Sequence, residues 1–209
     1  MLIGVSEILA LLMGVGLATS AGLNAYIPVL MIGLLAKFTD FIHLPSNWHW
    51  LENDWTLLIL GGLLAVEVVA DKIPGVDHLN DIVQTVVRPT AGGIAFGAAS
   101  ESQTVTIQDP ASFFTSKQWV PIVIGIVISF IVHTGKAAAR PVVNTATVGL
   151  GAPVASTTED FFSVTMSFFA IVFPFVIIIL LALLIWFLTW LRRRRKRKQA
   201  AKAALQGVR

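Results

Sequence analysis

Glu67, Asp71, Lys72, Asp77, Asp81 and Arg88 crowd into one stretch whose flanks are apolar. Ionisable groups are costly in hydrocarbon, so inside membrane-like sequence they are by default a functional site. Glu67 and Asp71 stand one turn apart on one helical face. Such a like-charge pair in low dielectric is how a membrane protein builds a proton acceptor that works near neutral pH. The plainer reading is that Lys72, Arg88, Lys136 or Arg140 neutralises the pair in a structural network. Asp77, Asp81, Gln84 and Arg88 follow at offsets 0, 4, 7 and 11, a narrow arc on a helix. A salt bridge from Arg88 to Asp77, Asp81 or Glu67 is expected from that placing.

Other residues offer weaker chemistry. Asp77, His78 and Asp81 supply oxygen and imidazole ligands within about a turn, a candidate metal site, although such mixed-charge turns are usually just solvated. Arg88 and Arg140 each precede a proline. If those prolines begin helices, the arginines stand beside exposed N–H groups at positive helix ends, with Lys72 and Lys136 near, as in an anion or phosphate site. For Lys136, simple anchoring on the cytoplasmic face is the better account. Asn24 and Tyr26 fall at a break between apolar segments, where they line a pathway or cap the bend. His133 reads as a packing histidine or a proton relay near Lys136. Glu159 and Asp160 are the remaining pair to set against the cations.

The elements that must position these groups are membrane helices. The chain has 209 residues, 56% of them hydrophobic, and a mean hydropathy of +0.79. Nine of its fifteen Lys and Arg lie beyond Leu191, so the net charge of +3 belongs to a tail. No nucleic-acid surface is supported. With no cysteine, disulfides, thiolate metal sites and cysteine nucleophiles are excluded. No Gly-x-Ser-x-Gly, His-Glu-x-x-His or phosphate-binding lysine loop occurs, and neither an enzyme activity nor a cofactor is expected.

The fold expected is an all-α integral membrane protein of about seven segments, some short, kinked or re-entrant. Segments one and two span about 3–20 and 25–38, broken between Thr19 and Pro28. Residues 39–55, with Trp48, Trp50 and Trp55, form an interfacial loop. Segment three runs from Trp55 to Ala70 and ends at Pro74-Gly75. Segment four, from Asp77 to Ser100, is a kinked crossing or a re-entrant element around Pro89. Residues 101–118 are a polar loop, and segment five covers Trp119 to about Gly135. Segment six is the small-residue run Pro141–Thr158, and segment seven is Phe161–Leu191, kinked at Pro174. Residues 1–191 thus form one polytopic domain and 192–209 a basic cytoplasmic tail. The tail's charge puts Lys72, Lys136 and Arg140 inside, and the acidic loops with Glu159 and Asp160 outside. The N-terminus is then outside, or inside if segment one is only re-entrant. Equal spacing from Arg88 to Gly97 and from Arg140 to Gly149 hints at a weak internal repeat.

Gly22-Leu23-Asn24-Ala25-Tyr26-Ile27-Pro28, the run Glu67–Asp81 with its Asp-Lys-Ile-Pro core, Arg88-Pro89-Thr90-Ala91-Gly92 and Glu159-Asp160 resemble a family of small bacterial membrane proteins, domain of unknown function 4126. The resemblance covers roughly residues 5–175. It implies a polytopic inner-membrane protein and brings no activity with it.

The leading functional expectation is a small transporter or channel. Glu67, Asp71, Asn24 and Tyr26 would form a proton pathway, and Arg88 and Arg140 would hold an anionic or phosphate-bearing substrate. The rivals are a membrane scaffold with a closed salt-bridge network and a metal-dependent lipid-headgroup enzyme. Expected partners are membrane lipids, anionic lipid at the tail, and a second copy through the small-residue face of segment six. A transporter calls for a water-accessible route to Glu67, whereas a scaffold calls for paired and sealed carboxylates.

Overall fold

The computed structural model describes residues 4–73, 76–100, 119–147 and 151–180, together with 182, 183 and 186. It is 88% helical, with no strand among the described residues. Helix α1 covers Val5–Leu23 and α2 covers Tyr26–Phe38. The break between them is built by Asn24, whose backbone is extended and whose Oδ1 accepts from the N–H groups of Tyr26 and Ile27 at 3.1 and 3.2 Å. That satisfies two of the orphan donors at the start of α2. Pro28 sits in the first turn, where its missing N–H costs nothing.

A 3-10 helix at Ser46–Glu52 then leads into α3, Asp54–Ala70. Asn53 caps α3 by accepting from Trp55 N–H. Helices α4, α5 and α6 cover Val76–Ser100, Trp119–Thr147 and Gly151–Val172.

Pairwise contacts fix the directions. A Cβ at Gly92 would sit 2.4 Å from the Ser129 Cβ, and one at Gly125 would sit 2.2 Å from the Gly92 carbonyl, while Gly97 faces Ile122. Helices α4 and α5 are therefore antiparallel with touching backbones, which only these small residues permit. Gly14 lies on Phe96 and Gly16 on Ala170, and Ser20 bonds Ser163. Helix α1 is thus antiparallel to both α4 and α6. Gly33 faces Leu57 and Lys37 pairs with Asp54, so α2 and α3 are antiparallel as well. The result is three helical hairpins, α1–α2, α3–α4 and α5–α6, that all turn at the same end.

An apolar core gathers Leu17, Ala21, Ile32, Leu51 and Ala95, but α3 and the first half of α4 are inverted relative to a water-soluble bundle. The one fully buried residue of α3 is Glu67, while Leu58, Ile59, Val66 and Val69 face outward. In the first half of α4, Asp81, Gln84 and Arg88 are buried and Leu79, Ile82, Val83 and Val86 are exposed. Water would reverse that arrangement, and a bilayer accounts for it.

Among the described residues, two helices are long and apolar enough to cross a membrane, Val5–Leu23 and Trp119–Ala139, or three if the bent pair Ser46–Glu52 and Asp54–Ala70 counts as one span. The others fall short for local reasons. Helix α2 has 13 residues, one half of α4 carries the polar stripe, and α6 carries Glu159 and Asp160 in mid-helix.

The described helices also move three expected features. Pro89 lies inside α4 and Pro141 inside α5, so neither proline starts a segment. The strong helix formers Ala137–Ala139 carry α5 through Arg140 to Thr147. The expected sixth segment, Pro141–Thr158, is consequently divided between the end of α5 and the start of α6. Glu159 and Asp160 lie within α6 rather than before a helix. Near the other end, Gly16 is approached by both Ala170 and Ile177. Residues seven apart on a straight helix are about 10 Å apart in rise, so the chain bends sharply at Pro174, where the sequence places a kink.

Loop 101–118 and tail 192–209 lie outside the described residues, as do Pro74-Gly75 and residues 148–150. The side chains of Asp77, His78, Arg140 and residues 141–146 do too. The metal candidates Asp77 and His78, the anion role of Arg140, the internal repeat and the dimer face of segment six fall there.

Candidate functional site

The hairpin ends gather the charged residues into one hub. Arg88, from mid-α4, has no exposed surface. Its Nη2 donates to Glu67 Oε1 at 2.8 Å and reaches Asp71 Oδ2 at 3.5 Å. Glu67 and Asp71 thus converge on one cation from the last turn and C-cap of α3, as their spacing predicts.

Lys136 of α5 extends the hub. Its ammonium donates to Asp71 Oδ2 at 3.2 Å and to the Leu23 carbonyl at 3.2 Å, and it lies 2.7 Å from Glu159 Oε2. Lys72 pairs with Asp160 at 3.4 Å, and Asp160 also accepts from Asn24 Nδ2 at 2.9 Å. Asn80 donates to Asp71 Oδ1 at 2.8 Å. Helices α1 to α6, or their caps, therefore meet at one polar layer.

This contact corrects the expected sidedness. Lys136 and Glu159 cannot touch and also lie on opposite faces of a hydrocarbon layer about 30 Å thick. Glu159 and Asp160 belong to the same end as Lys72 and Lys136. Arg88 is corrected too, because it stands at no helix N-terminus and its guanidinium is committed to carboxylates. The helix-end geometry expected for an anion site is absent there. Lys136 is a buried member of the hub, not a surface anchor.

His133 supplies a readable proton position. Arg88 Nη1 lies 3.4 Å from His133 Nδ1, and a guanidinium can only donate. Nδ1 must therefore be bare, which puts the ring proton on Nε2, 3.1 Å from Thr85 Oγ1. Thr85 in turn donates to the Asp81 carbonyl at 2.8 Å. His133 is a neutral imidazole in this arrangement, second to Arg88 and not to Lys136.

Among the described residues, the chain of ion pairs holds four carboxylates, Glu67, Asp71, Glu159 and Asp160, against three cations, Lys72, Arg88 and Lys136. Glu67 Oε2, Gln84 Oε1 and Arg88 Nε are buried with no hydrogen-bond partner among the described residues. Tyr26 is hydrogen-bonded to Gln84 and within electrostatic reach of Glu67, so it borders the hub from α2. Burying such a network is a poor source of net stability, although removing one member is strongly destabilising. An apolar hollow outside α3, lined by Ala65, Val66, Val69, Ala70, Ile73 and Val76, has no polar lining. Among the described residues, no three His, Asp or Glu could hold a metal.

Sequence reasoning missed a second polar seam. Ser20 Oγ lies 2.7 and 2.6 Å from the hydroxyls of Ser163 and Ser167, joining α1 to α6, and Ser129 Oγ donates to the Arg88 carbonyl at 2.7 Å. A signal was present. Ser156, Asp160, Ser163 and Ser167 repeat the offsets 0, 4, 7 and 11 of the α4 stripe.

A family model described as a domain of unknown function (DUF4126) matches residues 11–194, and the chain belongs to that family. No curated protein and no solved structure matches it.

Proposed function

We propose that the chain is a small polytopic membrane transporter of the inner membrane, whose hub exchanges protons through Glu67 and Asp71 while Arg88 and Lys136 alternately hold and release them. The observation that carries this reading is the acid excess in the ion-pair chain among the described residues, four carboxylates to three cations, with no partner among them for the buried Glu67 Oε2. A charge-balanced scaffold has no need of that surplus, whereas a proton or small cation completes it. Asn24 and Tyr26 border the hub and belong to the same pathway. An anionic substrate loses its main support with the commitment of Arg88 to carboxylates.

The finer topology is part of the proposal. The basic tail is cytoplasmic, the three hairpins turn at that face with Lys72 and Lys136, and the acidic loops 39–53 and 101–118 are outside. The stretch beyond the bend at Pro174 then returns as the seventh segment. A second reading, a membrane scaffold, is favoured by one observation: Glu67 and Asp71 are each only 2% exposed.

Proteoliposomes with a trapped pH dye separate the two. Transport predicts that an imposed pH gradient collapses faster than in empty vesicles and that Glu67→Gln removes the difference. Vesicles containing wild type that hold the gradient as well as empty ones would leave the scaffold reading.

A further inference from the structure

We infer that the Lys136 ammonium occupies a site for a small monovalent cation, and that a free cation of this class takes its place when the lysine withdraws. The inference rests on the transport reading and names its coupling ion. Three oxygens surround the ammonium: Leu23 O at 3.2 Å, Asp71 Oδ2 at 3.2 Å and Glu159 Oε2 at 2.7 Å. The first two accept hydrogen bonds from it, and the third is an ion-pair contact. The Lys136 and Asp71 side chains are each 3% exposed and that of Glu159 is 21% exposed, so the cage is buried with one edge toward water.

None of the three oxygens comes from α5, the helix that carries the lysine. Leu23 O belongs to the last turn of α1, where carbonyls have no partner within the helix and the dipole is negative. Asp71 caps α3 and is held independently by Asn80 at 2.8 Å. Glu159 is fixed in α6. Withdrawal of one side chain therefore leaves a set of hard oxygens already in place, a helix-end carbonyl with two carboxylates, which is how membrane transporters coordinate sodium at broken helices. The charge favours one positive unit over two, because Arg88 at 3.5 Å already offsets part of Asp71.

The test is binding, with no transport needed, so it can fail while the proton-flux result stands, and the reverse. Lys136→Ala and Lys136→Met are extracted and unfolded thermally in sodium, potassium, ammonium or choline chloride at equal ionic strength. The cage predicts that at least one of the three small cations raises the variant's unfolding temperature over choline. At about a hundred times its Kd the shift is about 5–10 °C. Adding Asp71→Asn abolishes it, and wild type shows no such preference. Recovery of folded variant in a small-cation salt but not in choline supports the cage equally. Equal unfolding in all four salts, the same preference in wild type, or failure of both variants to fold in every salt overturns it.

Discussion

Replacing Arg88 by methionine removes the cation at the centre of the hub and keeps most of its apolar stem. Arg88 is fully buried and is the ion partner of Glu67 at 2.8 Å. Asp71 retains Lys136 at 3.2 Å, so the damage falls on Glu67, whose second oxygen has no partner among the described residues. Removing one member of a buried pair costs about 3–5 kcal/mol, because the survivor is left charged in low dielectric. For a chain of this size that is a fall of roughly 6–20 °C in unfolding temperature. Replacing both residues, Arg88→Met with Glu67→Met, deletes both desolvated charges together and should return to within about 2 kcal/mol of wild type. Far-UV circular dichroism of the three proteins, unfolded in one detergent, reads the comparison. A single variant that loses less than about 1 kcal/mol would mean a solvated pair, and a double variant as unstable as the single would mean that packing, not charge, sets the cost.

Two further perturbations probe the frame around the hub. Gly125→Ala puts a methyl 2.2 Å from the Gly92 carbonyl and should cost about 1–3 kcal/mol by overpacking. Gly61→Ala meets nothing within 4 Å and should be neutral or add up to about 1 kcal/mol of helix propensity; the two unfolding temperatures, measured side by side, check both. Asn24→Ala removes the cap of α2 and the bond to Asp160, for about 0.5–2 kcal/mol. Asn24→Asp keeps the cap but sets a carboxylate against Asp160, and should be no more stable than the alanine variant in the same assay.

What the sequence discloses about the hub depends on how far apart its members lie along the chain. Glu67 with Asp71, and Asp81 with Gln84 and Arg88, share faces through local spacing alone, and the structure places each set as the helical period requires. The same spacing narrows the partner of Arg88 to three acids, Asp77, Asp81 and Glu67. Lys136 with Glu159 and Asn24 with Asp160 are different, because no local period links α5 to α6 or α1 to α6. Pro141 was the misleading residue. Proline ordinarily marks a boundary, but the alanines before it favour continued helix, and moving that one boundary moved Glu159 and Asp160 to the wrong face. The close packing of α4 on α5 also depends on Gly92 meeting Gly125, which neither glycine shows by itself.

The central claim is that Glu67 is a buried carboxyl that takes up and gives back protons. Carbodiimide labelling of the purified protein across pH, wild type beside Glu67→Gln, tests it most directly. The account predicts modification that depends on Glu67 and fades as the pH rises and the carboxyl gives up its proton. Absence of Glu67-dependent labelling at every pH at which the protein stays folded would contradict it, and would make the hub a permanent structural lock.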